Sequence, residues 1–568
     1  MFKFNIGFFF LALFFLGLVL TPPQNVFGAE LKYAKILDVR NREVLIQFGG
    51  LETPRNYLCN TFSLSCQNLG ASTPQEISSY FDEKETPLSE QIGDIQFDRN
   101  KATRITLSLH QKFLAYYEPA TLGKSTTQTH VLLDLKTNPP KKYSLSAETS
   151  YWDLLTEELR LFDFSPNEKR LLYLDDKDNY PTLYLVNLNP LSKKPLPGTK
   201  LFSKNYSVAD FQFLDDDNIV FVANRDNIYR FSLYKFNIPT KKLTKIADDI
   251  SYGQRVKKEG SNLIFLQIIN NSVVPVLYNT SSGKLKYFKD IPANPPKDKA
   301  VVSELFSTGN LHGVILRSSK FAKSAKQPLL IWLHGGPYRE ASWLYHPYLS
   351  YAVYDWMLND LVKSGVTVLK LDYRGSYGFG RTFAESITKN VGKGDVADVL
   401  AAQKAMKLKY PISQTYLSGN SYGGYLALRT IVEEPKSFGG ALSINGVTAW
   451  DVLLNKLENS IFNVQFGGTL QEKNGNLFYQ AAIDERIKNL TNQKIIIAQA
   501  SADNTVPPSQ ADYLFNELKK KGKDQNIELI KYPKEDHVFH KKSSLISLCQ
   551  KTYELVGKKP DAKNCLFD

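Results

Sequence analysis

The stretch Gly419-Asn420-Ser421-Tyr422-Gly423-Gly424 constrains this chain more than any other. Before it, Thr415-Tyr416-Leu417-Ser418 is apolar and β-prone; after it, Tyr425-Leu426-Ala427-Leu428-Arg429 reads as the start of a helix. Gly-x-Ser-x-Gly between strand and helix predicts a nucleophile elbow. The turn is so tight that flanking side chains must be small, and it carries the serine hydroxyl to the top of a sheet. The bare pattern also occurs in Gly/Ser-rich surface turns, so the reading depends on partners downstream.

A serine hydroxyl needs a base, and the base needs an orienting carboxylate. In α/β-hydrolases these follow in the order Ser, Asp/Glu, His, each on a loop after a strand. Lys494-Ile495-Ile496-Ile497-Ala498 is a strongly apolar strand candidate, followed by Asp503 in a polar loop. Ile527-Glu528-Leu529-Ile530-Lys531-Tyr532 is another, followed by His537, with His540 the near competitor for the role of base. Acyl transfer also needs two N–H donors where negative charge develops. One is expected from Tyr422, just after the nucleophile. The other is expected from the loop after Pro328-Leu329-Leu330-Ile331-Trp332-Leu333, where His334-Gly335-Gly336-Pro337 lets backbone approach a substrate closely.

Four segments together resemble the prolyl oligopeptidase family of serine peptidases, particularly its acylaminoacyl-peptidase and dipeptidyl-peptidase-like branches. They are His334 to Pro337, Asp372-Tyr373-Arg374-Gly375-Ser376-Tyr377-Gly378-Phe379-Gly380, Gly419 to Tyr425, and Asp503 to Gln510 with Tyr532 to Phe539; Gly394-Asp395-Val396-Ala397-Asp398-Val399 falls between the second and third. The resemblance runs from near Ser303 to the C-terminus. It implies an α/β-hydrolase domain that cleaves short peptides, with Ser421 as nucleophile, His537 as base, Asp503 as its partner, and Tyr422 and Gly336 as oxyanion donors. Two departures bear on substrate preference: Gln499-Ala500 stands where the family usually has His-Gly, and Asn420 where Gly or an aromatic residue is usual.

At 568 residues the chain is long enough for two large cores. Between about Lys32 and Ala300 helical periodicity is scarce. Short β-rich runs recur there at Phe113–Tyr117, Leu171–Leu174, Ile219–Val222 and Leu263–Leu266, separated by roughly 58, 48 and 44 residues, close to a propeller-blade period. The clearest repeat is a strand through Arg170-Leu171-Leu172-Tyr173, a charged turn at Asp175-Asp176-Lys177-Asp178, and a second strand at Thr182–Leu188. The expectation is an all-β propeller with room for six or seven blades, which would admit flexible peptides and exclude folded proteins. A β-sandwich is the alternative. The expected division is a signal peptide over 1–29, a propeller over 30–300 and a hydrolase domain over 301–568.

Lys3 followed by the apolar run Ile6–Leu20 and the small residues of Val26-Phe27-Gly28-Ala29 reads as a secretory signal, with an uncleaved anchor as the alternative. The expected location is therefore secreted, periplasmic or cell-envelope, with membrane contact only if that segment stays uncleaved. Four cysteines allow three connectivities. Short loops cost less to close, which favours Cys59 with Cys66 and Cys549 with Cys565. These spacings do not resemble a zinc site, so neither metal nor cofactor is expected. Sequons lie at Asn205, Asn270, Asn279 and Asn489. Glu157-Glu158 resembles the glutamate pair by which dipeptidyl peptidases hold a free N-terminus, although adjacent glutamates are more often a solvated face. The net charge of +13 comes without a dense basic run, so no nucleic acid is expected as a partner; oligopeptides are. An esterase or acyl-transfer enzyme, and a silent propeller-based binding protein, are the other readings. Asn445-Gly446 and Trp450 fall near the rim of the expected site, without an assigned role.

Overall fold

In a computed structural model, the described residues are 34–40, 42–48, 55–71, 103–118, 129–146, 160–189, 191, 198–269, 272–289, 291, 300–343, 346–454, 466, 475–560 and 564–565. The expected signal segment, Glu157-Glu158 and Asn270 lie outside them. Among the described residues, no helix is long and apolar enough to cross a membrane.

Among the described residues, the N-terminal half is all β. Its strands form five four-stranded sheets, each a meander of consecutive antiparallel strands. The first begins at Ala34–Arg40, the second at Thr103–Leu107, the third at Phe162–Phe164, the fourth at Val208–Phe213 and the fifth at Lys257–Glu259. The expected repeat is the middle of the third sheet, Arg170–Asp175 paired with Thr182–Asn187. The described residues hold five such sheets; residues 72–102 and 147–159, between consecutive sheets, lie outside them, so the expected six or seven blades fall partly outside the described residues.

Apolar residues bury the sheets, and the second to fifth pack on one another in chain order. One cluster joins the second, third and fourth sheets through Leu132, Tyr173 and Phe221. Another joins the fourth and fifth through Leu233 and Phe265, and a third packs the first against the fifth through Ile46 and Ile264. Polar side chains tie neighbouring sheets at their first strands. Asp163 accepts from the Phe213 N–H (2.6 Å), Asp210 from Val256 N–H (2.7 Å), and Gln254 from Ile36 N–H (2.9 Å). Each contact satisfies a backbone donor that the next strand leaves unpaired.

The C-terminal half is an α/β-hydrolase domain. Its eight strands are β1 (Val301–Thr308), β2 (Leu311–Ser318), β3 (Gln327–Leu333), β4 (Thr367–Asp372), β5 (Ile412–Asn420), β6 (Gly440–Ile444), β7 (Lys494–Ala500) and β8 (Ile527–Tyr532). They lie in the order β1-β2-β4-β3-β5-β6-β7-β8. β1 and β2 pair antiparallel, β2 pairs antiparallel with β4, and the remaining pairs are parallel. Among the described residues the five longest helices are α1 (Leu349–Lys363), α2 (Gly394–Lys409), α3 (Tyr422–Glu433), α4 (Ser509–Lys520) and α5 (Lys542–Leu555). In β3, Leu329, Ile331 and Leu333 face the core under α2, α3 and α4; Leu330 and Trp332 face the core under α1 and α5. Burial on both faces explains why the parallel strands are continuously apolar.

Both local cysteine pairs are bonded. Cys59–Cys66 joins cross-strand partners in the first sheet, and Cys549–Cys565 ties the C-terminal tail to α5.

Candidate active site

β5 runs through Gly419 and Asn420, and α3 begins at Tyr422, leaving Ser421 alone at the turn. Ser421 has φ 55° and ψ −122°. Such a conformation costs a non-glycine residue about 1–3 kcal/mol and persists only where its surroundings impose it. Here they do. The Ser421 N–H donates to the Ile444 carbonyl (2.8 Å), and its own carbonyl accepts from Tyr425 N–H (3.0 Å). A Cβ on Gly423 would lie 2.0 Å from the Leu333 carbonyl oxygen, and one on Gly419 2.4 Å from the same atom. Only hydrogen at both positions lets α3 start directly above β3.

Asp503 and His537 occupy the loops after β7 and β8, at the same end of the sheet as Ser421. His537 Nδ1 lies 2.8 Å from Asp503 Oδ2. The other carboxylate oxygen accepts from the Thr505 and Val506 N–H groups, both at 2.8 Å, so the buried Asp503 cannot swing away. His540 turns elsewhere: its Nε2 lies 3.0 Å from Asp536 Oδ1, and that pairing pushes its pKa up.

Asn445, one residue beyond β6, connects these loops. Its Oδ1 accepts from Ala500 N–H (2.7 Å), and its Nδ2 donates to the His537 carbonyl (3.1 Å). Buried Glu535 accepts from the His540 and Lys541 N–H groups and fixes the far side of the histidine loop. Position alone drew attention to Asn445; that its amide reaches both loops was not readable from sequence.

The loop after β3 lies against Ser421, since a Cβ on Gly335 would stand 3.2 Å from Ser421 Cβ. Gly336 has φ 125°, a backbone that a side chain would strain. Three rings link this loop to the elbow: His334 stacks on Tyr373 (4.7 Å) and Tyr373 on Tyr422 (5.8 Å). Tyr373 also donates its hydroxyl to the His334 carbonyl (2.7 Å). The Tyr422 hydroxyl donates to Asp395 Oδ2 (2.7 Å) at the start of α2. Burial pushes Asp395 up to about 6. Asp398 grips Arg374 through two 2.8 Å contacts to the guanidinium. These roles for Tyr373, Asp395 and Asp398 were missed, although all three residues stand in quoted motifs. Their signal was the pairing of a buried acid with a partner outside its own segment, which one sequence does not display.

Beside the elbow, Trp450 packs on Tyr422 (5.8 Å), Tyr425 (5.2 Å) and Phe466 (5.5 Å), an apolar wall near Ser421. Among the described residues, the one acid, histidine and cysteine grouping close enough for a metal is Asp360 with Cys549 and Cys565. Its sulfurs are bonded to each other rather than available as thiolates.

Residues 352–561 match the family model described as "Prolyl oligopeptidase family". That stretch of the chain is thus similar to the family. Over 158 residues the chain is 28% identical to the acylamino-acid-releasing enzyme of Mus musculus, covering 27% of this chain and 20% of that protein. Over 410 residues it is 23% identical to dipeptidyl-peptidase 5 of Aspergillus oryzae, covering 67% of this chain and 54% of that one. The matches thus span about a fifth to a half of these family relatives. A puromycin-hydrolyzing peptidase of Mycobacterium tuberculosis superposes with a TM-score of 0.66 at 15% identity, over 93% of this chain and 79% of that one. At that identity the likeness is one of fold: an α/β-hydrolase domain behind an N-terminal β domain.

Proposed function

We propose that this protein is an exported serine peptidase that hydrolyses short peptides through an acyl-enzyme on Ser421. The observation that carries the reading is the 2.8 Å pair of His537 and Asp503, held at the same sheet end as a serine in a strained strand-to-helix turn. Ser421 Oγ attacks the peptide carbonyl while His537 takes its proton. Asp503 holds Nδ1–H of the imidazole and stabilises the imidazolium. The N–H groups of Tyr422 and Gly336 stabilise the tetrahedral oxyanion. His537 then returns the proton to the leaving amine, and water repeats the sequence on the ester to release the acid.

The chain divides in this reading into a signal at 1–29, a propeller at 30–300 and a peptidase domain at 301–568. Among the described residues, five separate four-stranded meanders, the second to fifth packed in chain order and the first against the fifth, support a propeller over two facing sheets. As a cap it restricts the site to flexible oligopeptides. Two disulfides favour an oxidising compartment.

The test is intact-mass labelling of the mature protein with a fluorophosphonate, wild type beside Ser421→Ala. One adduct on wild type and none on the variant is expected, with peptide hydrolysis reduced about 10⁴-fold or more in the variant. Folded wild type that takes no adduct refutes the reading. Comparing kcat/KM on matched amide and ester substrates separates a peptidase from an esterase.

A further inference from the structure

The backbone from His334 to Ala341 contains the Gly336 oxyanion donor, and both its ends converge on one buried carboxylate. Asp372, the last residue of β4, accepts from Ala341 N–H at 2.7 Å through Oδ1, and His334 Nε2 lies 3.4 Å from that oxygen. The other oxygen, Oδ2, accepts at 2.5 Å from the hydroxyl of Tyr229. Tyr229 is not part of the hydrolase domain. It sits in the turn between the second and third strands of the fourth sheet, and its ring is buried against Phe379. A second tyrosine repeats the arrangement. Tyr252, on the chain leading into the fifth sheet, donates to the carboxyl of Glu340, the residue before Ala341.

A buried carboxylate with fixed donors on both oxygens has one orientation; with a donor removed it can turn. Within the hydrolase domain the same loop is also held by the Tyr373 hydroxyl on the His334 carbonyl (2.7 Å) and by Tyr377 N–H on the Arg339 carbonyl (2.8 Å). We propose that Tyr229 and Tyr252 are positioning residues for the oxyanion loop, acting through Asp372 and Glu340, so that docking of the N-terminal domain sets the catalytic rate. The N-terminal domain is then part of the machinery as well as a filter on substrate size. This inference rests on the serine-peptidase reading above.

Other contacts of the same interface supply a control. Asn179 of the third sheet accepts from Thr382 N–H through its side chain (2.7 Å), a contact with no residue of 334–341. Its φ of 83° is kept by Asn179→Gly, which removes that side-chain contact alone.

The experiment measures kcat, KM and the affinity of a peptide aldehyde for wild type, Tyr229→Phe, Tyr252→Phe and Asn179→Gly. An aldehyde adduct places an oxyanion in the hole, whereas ground-state binding does not use it fully. Deleting a whole oxyanion donor costs about 10²–10³ in kcat, so a misaligned one should cost about tenfold. Expected for each tyrosine variant is that tenfold fall in kcat, an equal loss of aldehyde affinity, and KM within about twofold. Asn179→Gly should match wild type. Tyrosine variants with wild-type kcat, or an Asn179→Gly that falls equally, overturn the proposal. If Tyr229→Phe fails to fold, Tyr252→Phe decides. Wild type that neither hydrolyses peptides nor takes a fluorophosphonate refutes the peptidase reading itself, a result distinct from any ratio between variants.

Discussion

Gly423→Ala tests whether the elbow works as packing geometry. The added methyl would lie 2.0 Å from Leu333 O, 2.5 Å from Leu333 C and 2.6 Å from His334 O, all backbone atoms. A relaxed carbon–oxygen contact is about 3.3 Å, so α3 and β3 must part by roughly 1.3 Å. Overpacking of this kind costs about 1–3 kcal/mol, against a typical stability of about 5–15 kcal/mol, so the protein should still fold. Activity should suffer more. Ser421 lies two residues away on the same turn, and a misplacement of about 1 Å costs about 10²-fold in rate. The assay is the second-order rate of fluorophosphonate labelling, read beside the thermal midpoint. Gly522→Ala is the control: its φ is +64°, but a Cβ there meets nothing within 4 Å. It should cost about 1–2 kcal/mol and leave labelling unchanged. A folded Gly423→Ala protein labelled within threefold of wild type would refute the reasoning.

Two further outcomes follow from the site. His537→Ala should abolish peptide hydrolysis, whereas His540→Ala should retain it within about threefold, because His540 pairs with Asp536 instead of Asp503; the reverse pattern in steady-state assays reassigns the base. Glu340 is pushed up to about 8 by burial and then by Asp372, with His334, His346 and Tyr252 in the same buried group. A raised acid pKa means that the folded state holds an extra proton between the ordinary carboxyl value and about 8. Its contribution is therefore complete in acid and is lost as pH rises through that window. Glu340→Gln removes the titration, so its thermal midpoint should gain on wild type between pH 5.5 and 8.5, by at most a few kcal/mol in stability. An unchanged gap at the two pH values counts against the buried carboxyl.

Local patterns carried the site's components. Gly419, Ser421 and Gly423 could be read together because the tight turn demands them within five residues. Asp503 and His537 could be read because each follows an apolar strand that must be buried. Which histidine meets Asp503 was not written locally, since His537 and His540 share a loop and differ only in the direction the folded loop gives them. Asn445 was legible as a position and not as a bridge.

By itself the sequence determined the tight strand-to-helix turn at Ser421, the order of acid and histidine, the local cysteine pairs and a β-rich half before an α/β half. Each is a matter of neighbours along the chain: strand alternation, turn sterics and loop-closure entropy. The tertiary structure decided what meets across distance, including Tyr229 on Asp372, 143 residues apart, and Tyr422 on Asp395, 27 apart. Such pairs arise when a buried acid must find a donor, and burial is a property of the packed fold, not of its neighbours in sequence.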